Sequence, residues 1–194
     1  MTTNRRDLIR RLLKGIETGD PESLAVVSGA RVIEHGPKRP EGGERLVARL
    51  ERLGATRPAV NLVRVFEDGD FVFAHTEYGF TVPAVAFEIF RFAGDQVVEY
   101  RGSTQPLQEP NPSGHSMVDG QTKLLELEKT ESNREIVQAF IEDVLIQREG
   151  GKIYEYVKWN HFVEHNPRGN DDLDALIAIV SPSGEEEGGL VRYE

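Results

Sequence analysis

Glu88 is the side chain of this sequence best placed to exchange a proton. It stands in the segment 84–92, where almost all of its neighbours are apolar and three are phenylalanines. Because side chains alternate along a strand, Ala86, Glu88 and Phe90 are predicted to share one face. Burial there would raise the pKa of the carboxyl group and make Glu88 a candidate general base. The alternative is a structural carboxylate that accepts a hydrogen bond from a tyrosine or a histidine.

A second pair of titratable residues, His75 and Glu77, falls on one face of the predicted strand 70–80, together with Phe73. From that face the pair could orient a substrate carbonyl group. The alternative, which the pattern favours, is that both residues lie at the solvent end of the sheet.

The histidines, at positions 35, 75, 115, 161 and 165, do not form a metal-binding pattern. Only His161 and His165 are close, and their spacing of four suits a helix. The segment between them is instead predicted as a strand, in which residues four apart are separated by more than about 10 Å. His35 precedes a Gly-Pro turn, so it either ties that turn to a carbonyl or carboxylate or contacts a ligand. No metal ion is therefore expected, and because no Gly-x-Gly-x-x-Gly or phosphate-loop pattern is present, no organic cofactor is expected either.

The composition argues against several classes of partner. The 194 residues carry a net charge of -10, from 33 acidic and 23 basic side chains. Such a surface repels phosphate backbones, so nucleic acid is not expected as a partner. No apolar run approaches the roughly 20 residues that cross a bilayer, and no secretory signal is recognisable at the start. The lack of cysteine fits a reducing compartment, and a cytoplasmic location is expected.

Helical patterns come first along the chain and strand patterns follow. Residues 4–17 show apolar side chains at helical spacing, and shorter helices are predicted at 21–27 and 43–53. Asp68-Gly69 and Gly94-Asp95 are typical of hairpin turns between strands. This order predicts an α+β fold with helices on one face of a curled antiparallel sheet. The predicted strands are 31–35, 60–66, 70–80, 84–92 and 96–103.

The chain then begins to repeat itself. Asn4-Arg5 matches Asn133-Arg134, and the segment 33–37 matches 163–167. After Val180 the residues are polar and show no strand pattern, so the copy is predicted to be mainly helical and incomplete. The predicted boundaries are a complete domain at 1–105, a linker at 106–130, the shortened copy at 131–180 and a polar tail at 181–194.

A helical layer without a sheet leaves an apolar face uncovered. In the second copy this face is therefore expected to pack on the first domain or on another chain, and a homodimer is predicted. The side chains concerned are Ile136, Phe140, Val144, Tyr156, Trp159 and Phe162.

Four segments in this order, 32–37, 71–78, 87–92 and 111–120, resemble the SnoaL-like polyketide cyclases of the nuclear transport factor 2-like superfamily. The nearest branch is that of predicted aldol-condensation enzymes, whose members often carry two domains in tandem. The resemblance implies a cone of helices over a curved antiparallel sheet. It also implies cofactor-free chemistry, in which a carboxylate abstracts a proton next to a carbonyl group.

The last strand departs from the family's pattern of Glu-His-Trp-Asp. Here it is Glu99-Tyr100-Arg101-Gly102, so a glycine stands where the family has its acid–base aspartate. If Tyr100 and Gly102 face inward, alternation predicts that Val98 faces inward as well.

Two functions are therefore predicted. The first is binding of a small, apolar, carbonyl-bearing molecule, with an aldol-type cyclisation if the protein is active. Glu88 and His75 would be the catalytic residues, and His35, Phe73, Glu77, Phe90 and Tyr100 would contact the ligand. The alternative is a non-catalytic module that serves binding or dimerisation.

Overall fold

The computed structural model describes residues 4–27, 32–35 and 45–181. The chain divides into two compact units, unit 1 from Met1 to Leu107 and unit 2 from Gln108 to Glu194. The two units are described separately below. The turn predicted at Gly36-Pro37 and the polar tail after Ser181 lie outside the described residues.

Unit 1 has the predicted order of helices followed by strands, which confirms the α+β class. A 3-10 helix, Pro21–Val26, follows the first long helix. The α-helices and strands are α1 (Arg5–Thr18), β1 (Ile33–His35), α2 (Leu46–Thr56), β2 (Ala59–Asp68), β3 (Phe71–Gly79), β4 (Ala84–Ala93) and β5 (Gln96–Pro106).

The five strands form one sheet in the order β1-β5-β4-β3-β2. Strand β1 pairs with β5 in parallel, and the other neighbours are antiparallel. The two predicted hairpin turns join β2 to β3 and β4 to β5. Gly69 and Gly94 adopt positive φ angles of 57° and 61° in these turns, a conformation that glycine reaches without steric cost.

The helices cover one face of the sheet, here called the inner face. Asn4 begins α1 by accepting a hydrogen bond from the backbone N–H of Arg6 at 3.1 Å, and Gly19 ends it in the left-handed conformation. Leu12 and Leu13 are fully buried in the core that α1 shares with the sheet. Burial of one such leucine contributes about 1.5–3 kcal/mol to stability.

A β-bulge at Val98 corrects the alternation predicted for β5. Arg91 pairs with Glu99, whereas the next residue, Phe92, pairs with Val97, so Val98 is the extra residue. The bulge turns Val97, not Val98, toward the core, where it is fully buried. The sequence alone gave no sign of this shift.

Unit 2 is helical among its described residues. Helix α3 (Thr130–Phe140) continues as a π-helix, Ile141–Ile146, and is followed by α4 (Ile153–Tyr156) and α5 (Leu173–Val180). Short 3-10 helices lie at Leu127–Lys129, Gly150–Lys152 and Trp159–His161. The prediction of a strand from 161 to 165 is wrong, because His161 ends a 3-10 helix and the following residues are irregular.

Much of the apolar face predicted for the second copy is used inside unit 2. Four buried side chains form its core: Val144, Ile153, Leu173 and Val180. Phe140, Tyr156 and Phe162, which were expected to pack elsewhere, pack against this core. Ile136 and Trp159, in contrast, are 52% and 74% exposed.

The segment predicted as a linker contributes packed residues to unit 2. Asn111 is buried, and its amide nitrogen donates a hydrogen bond to the backbone carbonyl of Glu164 at 2.7 Å. Its amide oxygen accepts from the backbone N–H groups of Ser113 and His115, each at 3.0 Å. These bonds fix the loop as an ordered part of the unit.

Candidate functional site

The carboxyl group of Glu88 lies on the inner face of the sheet. Ala86, Glu88 and Phe90 all turn inward on β4 and are buried, as the alternation predicts. Phe90 is fully buried, and its ring centre is 5.2 Å from that of Tyr100. Glu88 itself is 4% exposed, so the carboxyl group has almost no contact with water.

Three hydroxyl groups converge on this carboxyl group. Oε2 accepts hydrogen bonds from Tyr78 at 2.9 Å and from Thr76 at 3.3 Å. Oε1 accepts one from Tyr100 at 3.1 Å. Thr76 and Tyr78 are inward-facing residues of β3, and Tyr100 comes from β5, so the strands on both sides of β4 supply donors.

The surroundings favour the protonated form of Glu88. Burial raises the pKa of its carboxyl group, and the hydrogen bonds from Tyr78 and Tyr100 offset that rise only in part. Burial, followed by the charge of Glu88, also raises the pKa of both tyrosine hydroxyls. The tyrosines therefore keep their protons at neutral pH and remain hydrogen-bond donors.

Gly102 is directly opposite Glu88 in the register of β4 and β5. The side chain of Tyr100 folds over it: a Cβ atom built on Gly102 would lie 2.2 Å from the tyrosine hydroxyl oxygen. A side chain at position 102 is thus incompatible with the present position of Tyr100. The acid that the family resemblance places at position 102 is absent, and a carboxyl group stands on the neighbouring strand directly across from it.

A cation and a second carboxylate lie on the helix side of Tyr100. The guanidinium group of Arg49, on α2, is 5.3 Å from the centre of the Tyr100 ring. Arg49 also forms an ion pair with Glu34 at 3.4 Å. Glu34 accepts a hydrogen bond from the backbone N–H of Leu46 at 2.8 Å, which fixes the start of α2. Polar groups therefore run from buried Glu88 through Tyr100 to partly exposed Arg49.

His75, Phe73 and Glu77 lie on the opposite face of the sheet, here called the outer face. His75 is buried there, with Arg64 Nη1 at 3.0 Å from its Nδ1 and the ring of Phe87 stacked at 4.4 Å. The expectation that His75 supports Glu88 therefore needs correction, because the sheet separates the two side chains. Strand alternation explains the error, because the β3 residues on the same face of the sheet as Glu88 are Thr76 and Tyr78.

Glu77 and Phe73 are equally remote from Glu88. Glu77 accepts a hydrogen bond from the amide of Asn61 at 3.0 Å. Phe73 stacks between Phe66 and Phe87, at ring-centre distances of 4.7 and 5.9 Å. Of the ligand contacts predicted from sequence, Phe90 and Tyr100 lie near Glu88.

His35 pairs with a carboxylate, which is one of the alternatives that its sequence position left open. It lies on β1, and its Nε2 is 2.6 Å from Glu99 Oε1. The matching residue of unit 2, His165, has its Nδ1 2.7 Å from Asp119 Oδ1. In both places the histidine joins the chain to a neighbouring segment.

Sequence reasoning missed Thr76, Tyr78 and Arg49. The two β3 residues could have been found from the sequence, because strand alternation places them on the same face as the apolar residues Val72 and Ala74. Arg49 could not, since its approach to Tyr100 depends on how α2 packs.

The described residues show neither a metal-binding cluster nor a membrane-spanning helix. Across residues 4–27, 32–35 and 45–181, no group of three or more His, Asp or Glu side chains is arranged to hold a metal ion. In the same ranges, no helix combines the length and hydrophobicity needed to cross a bilayer.

The chain is similar in structure to nuclear transport factor 2-like proteins. No family model matches it, and no curated protein matches it significantly. One similar structure is a protein of unknown function from Burkholderia xenovorans, with 16% identity and a TM-score of 0.44 over 56% of this chain and 88% of the other. Another, from Cytophaga hutchinsonii, has 14% identity and a TM-score of 0.44 over 55% and 96% of the two chains.

A third similar structure is that of a proposed polyketide cyclase from Bacillus cereus, with 15% identity and a TM-score of 0.43. That match covers 50% of this chain and 72% of the other. Likeness at this level carries no information about the substrate or activity of the present chain.

Proposed function

We propose that unit 1 binds a small, mostly apolar molecule through a carbonyl group at Glu88. The observation that carries the proposal is the convergence of three hydroxyl groups on one buried carboxyl group. A carboxyl group with a raised pKa and several fixed donors is the kind of polar anchor that small-molecule sites place inside an apolar interior.

Tyr100 is the group that would admit the ligand. Neither of two cavities found in unit 1, of about 320 and 260 Å³, is lined by Glu88. Tyr100 is only partly buried, and Gly102 beneath it has no side chain to hold the ring in place. Rotation of Tyr100 would open space above Gly102, and its hydroxyl could then donate to the ligand's carbonyl oxygen.

The same groups would support proton abstraction if the bound molecule has an acidic C–H next to its carbonyl group. The ionised carboxylate of Glu88 would accept that proton, and Tyr78 and Tyr100 would donate to the enolate oxygen. Attack of the enolate carbon on a second carbonyl of the ligand would form the new carbon–carbon bond. The alkoxide formed would then take up the proton held by Glu88, which restores the carboxylate. Aldol-type closure of this kind needs no cofactor.

A thermal-shift screen of aromatic and polyketide-like carbonyl compounds tests the binding. A ligand at 100 times its dissociation constant should stabilise the wild type by about 2.7 kcal/mol. Glu88→Gln is expected to reduce that shift, because the amide matches the hydroxyl donors less well than the carboxyl group. Glu77→Gln is the matched control, since its carboxylate lies on the outer face. A broad library without a hit, or hits that both variants retain in full, would contradict the proposal.

The outer face favours a second candidate function, assembly with another copy of the chain. Phe66, Phe73 and Phe87 form an aromatic patch there around the buried ring of His75, and Phe87 is 45% exposed. Exposed aromatic groups of this kind are enriched at protein interfaces. A dimer formed through this patch would differ from the homodimer predicted from sequence, which was expected to form through the second copy.

Sedimentation analysis distinguishes this candidate. A dimer is expected at micromolar concentration for the wild type, and Phe87→Ser should shift it toward a species near 21.7 kDa. Val82→Ser is the control, because Val82 is 65% exposed but lies outside the strands. A wild type that sediments only as the 21.7 kDa species would rule out assembly through this patch.

A further inference from the structure

A cavity of about 260 Å³ lies on the outer face of the sheet, away from Glu88. Its walls are two neighbouring rows of cross-strand partners. One row runs from His35 through Arg101 to Ile89, and the other from Glu99 through Arg91 to Phe71. The strand register therefore brings three basic side chains, one acidic side chain and two apolar side chains to one place.

The charges in this cavity do not balance. Glu99 is held by both Arg91, at 2.5 Å, and His35, at 2.6 Å. Arg101 is exposed, and among the described residues no ion pair to it is seen. Two arginines thus face one carboxylate in a chain whose net charge is -10. The cavity is locally cationic on an acidic protein.

Each of the two rows ends in an apolar side chain on the side away from β1. Phe71 and Ile89 are 48% and 39% exposed, so their surfaces are available to a ligand. A flat hydrocarbon group placed there would cover the ring of Phe71 while its polar end reached Arg101. The volume is below the range of about 300–1,000 Å³ for drug-sized ligands, which limits the occupant to about one or two aromatic rings.

We propose that this cavity is a binding site for a small aromatic monocarboxylate. The carboxylate would pair with the guanidinium group of Arg101, whose planar fork matches two carboxylate oxygens. Arg91 adds positive charge, and it is kept in place by Glu99. The aromatic body would lie against Phe71 and Ile89. This site is separate from the inner-face site around Glu88, because the sheet lies between the cavity and Glu88.

An NMR titration of the full-length chain with 2-naphthoate tests the proposal and locates the ligand. The amide signals of Ile89 and Arg101 are expected to shift in a saturable way, and those of α1, on the inner face, to stay in place. Arg101→Gln should weaken binding about tenfold or more, the usual effect of losing a charged hydrogen-bond pair. Arg10→Gln, an exposed arginine of α1 bonded to Asp7, is the matched control and should leave binding unchanged.

Other outcomes would overturn the proposal. Equal affinity for 2-naphthamide would show that no anion is recognised. Loss of binding in Glu88→Gln but not in Arg101→Gln would place the ligand at the inner-face site around Glu88. An absence of saturable shifts in the wild type, or an effect of Arg101→Gln on sedimentation alone, would mean that the cavity binds no carboxylate.

Arg101→Lys, which keeps the charge but loses the fork, should bind with intermediate affinity and guards against a folding defect in Arg101→Gln.

Discussion

Glu88 and Glu99 stand on neighbouring strands of the same sheet, yet they occupy opposite chemical environments. Hydroxyl groups surround Glu88 on the inner face, and burial raises the pKa of its carboxyl group. Basic side chains surround Glu99 on the outer face, and the hydrogen bonds from Arg91 and His35 lower the pKa of its carboxyl group. The face of the sheet, rather than the residue type, decides in which direction the pKa of each glutamate shifts.

The two faces should differ most in their contribution to stability. Phe90 is fully buried on the inner face, whereas Phe87 on the same strand is 45% exposed on the outer face. Phe90→Ala is expected to lower the free energy of unfolding by about 3–5 kcal/mol. Phe87→Ala should cost about 1 kcal/mol or less, because half of its side chain is already in water. Urea denaturation of both variants measures the two losses in unfolding free energy. Equal losses would contradict the expected difference between the two faces.

The two carboxyl groups should give unfolding free energies with opposite dependence on pH. Above pH 4.5, the ordinary pKa of a glutamate, the unfolded chain loses the proton of Glu88 while the folded protein keeps it. The unfolding free energy therefore falls as the pH rises from 4.5 toward the raised folded pKa. Glu88→Gln removes this fall. Thermal melts at a series of pH values should therefore show the stability of the variant rising relative to that of the wild type above pH 4.5.

Glu99 provides the control with the reverse sign and a smaller effect. Its pKa is lowered in the folded state, so its contribution is present above pH 4.5 and is lost as the pH falls through the folded pKa. Glu99→Gln should therefore lose stability relative to the wild type above that window and approach it in acid. Salt should weaken the effect, since the ion pairs of Glu99 are partly exposed. Parallel pH profiles for the two variants would contradict the comparison.

Most of unit 1 was predictable because its signals are local. The amphipathic pattern of α1, the two glycine turns and the alternation of β4 follow from neighbouring residues. The burial of Glu88 and its position beside Phe90 were predicted in this way. The bulge at Val98 was not, because a shift of register depends on the partner strand. For the same reason, the convergence of Thr76, Tyr78 and Tyr100 on one carboxyl group required the folded sheet.

The two matching segments of the chain show the same limit. Ile33–His35 forms a strand because β5 lies beside it, whereas 163–165 remains irregular in unit 2, where the described residues contain no strand. Similar residues therefore produced different backbone structures. A strand is a property of a pair, and sequence similarity to one member does not supply the other.

The glycine under Tyr100 limits which side chains position 102 can carry. An aspartate at position 102 would require the Tyr100 ring to leave first, because its hydroxyl lies 2.2 Å from where the new Cβ would be. An acid at position 102 and the present hydrogen bond from Tyr100 to Glu88 therefore exclude each other. With Tyr100 over this glycine, the carboxyl group of the strand pair is the one at Glu88. A motif comparison made column by column would record only the glycine at position 102 and would miss the carboxyl group directly opposite it.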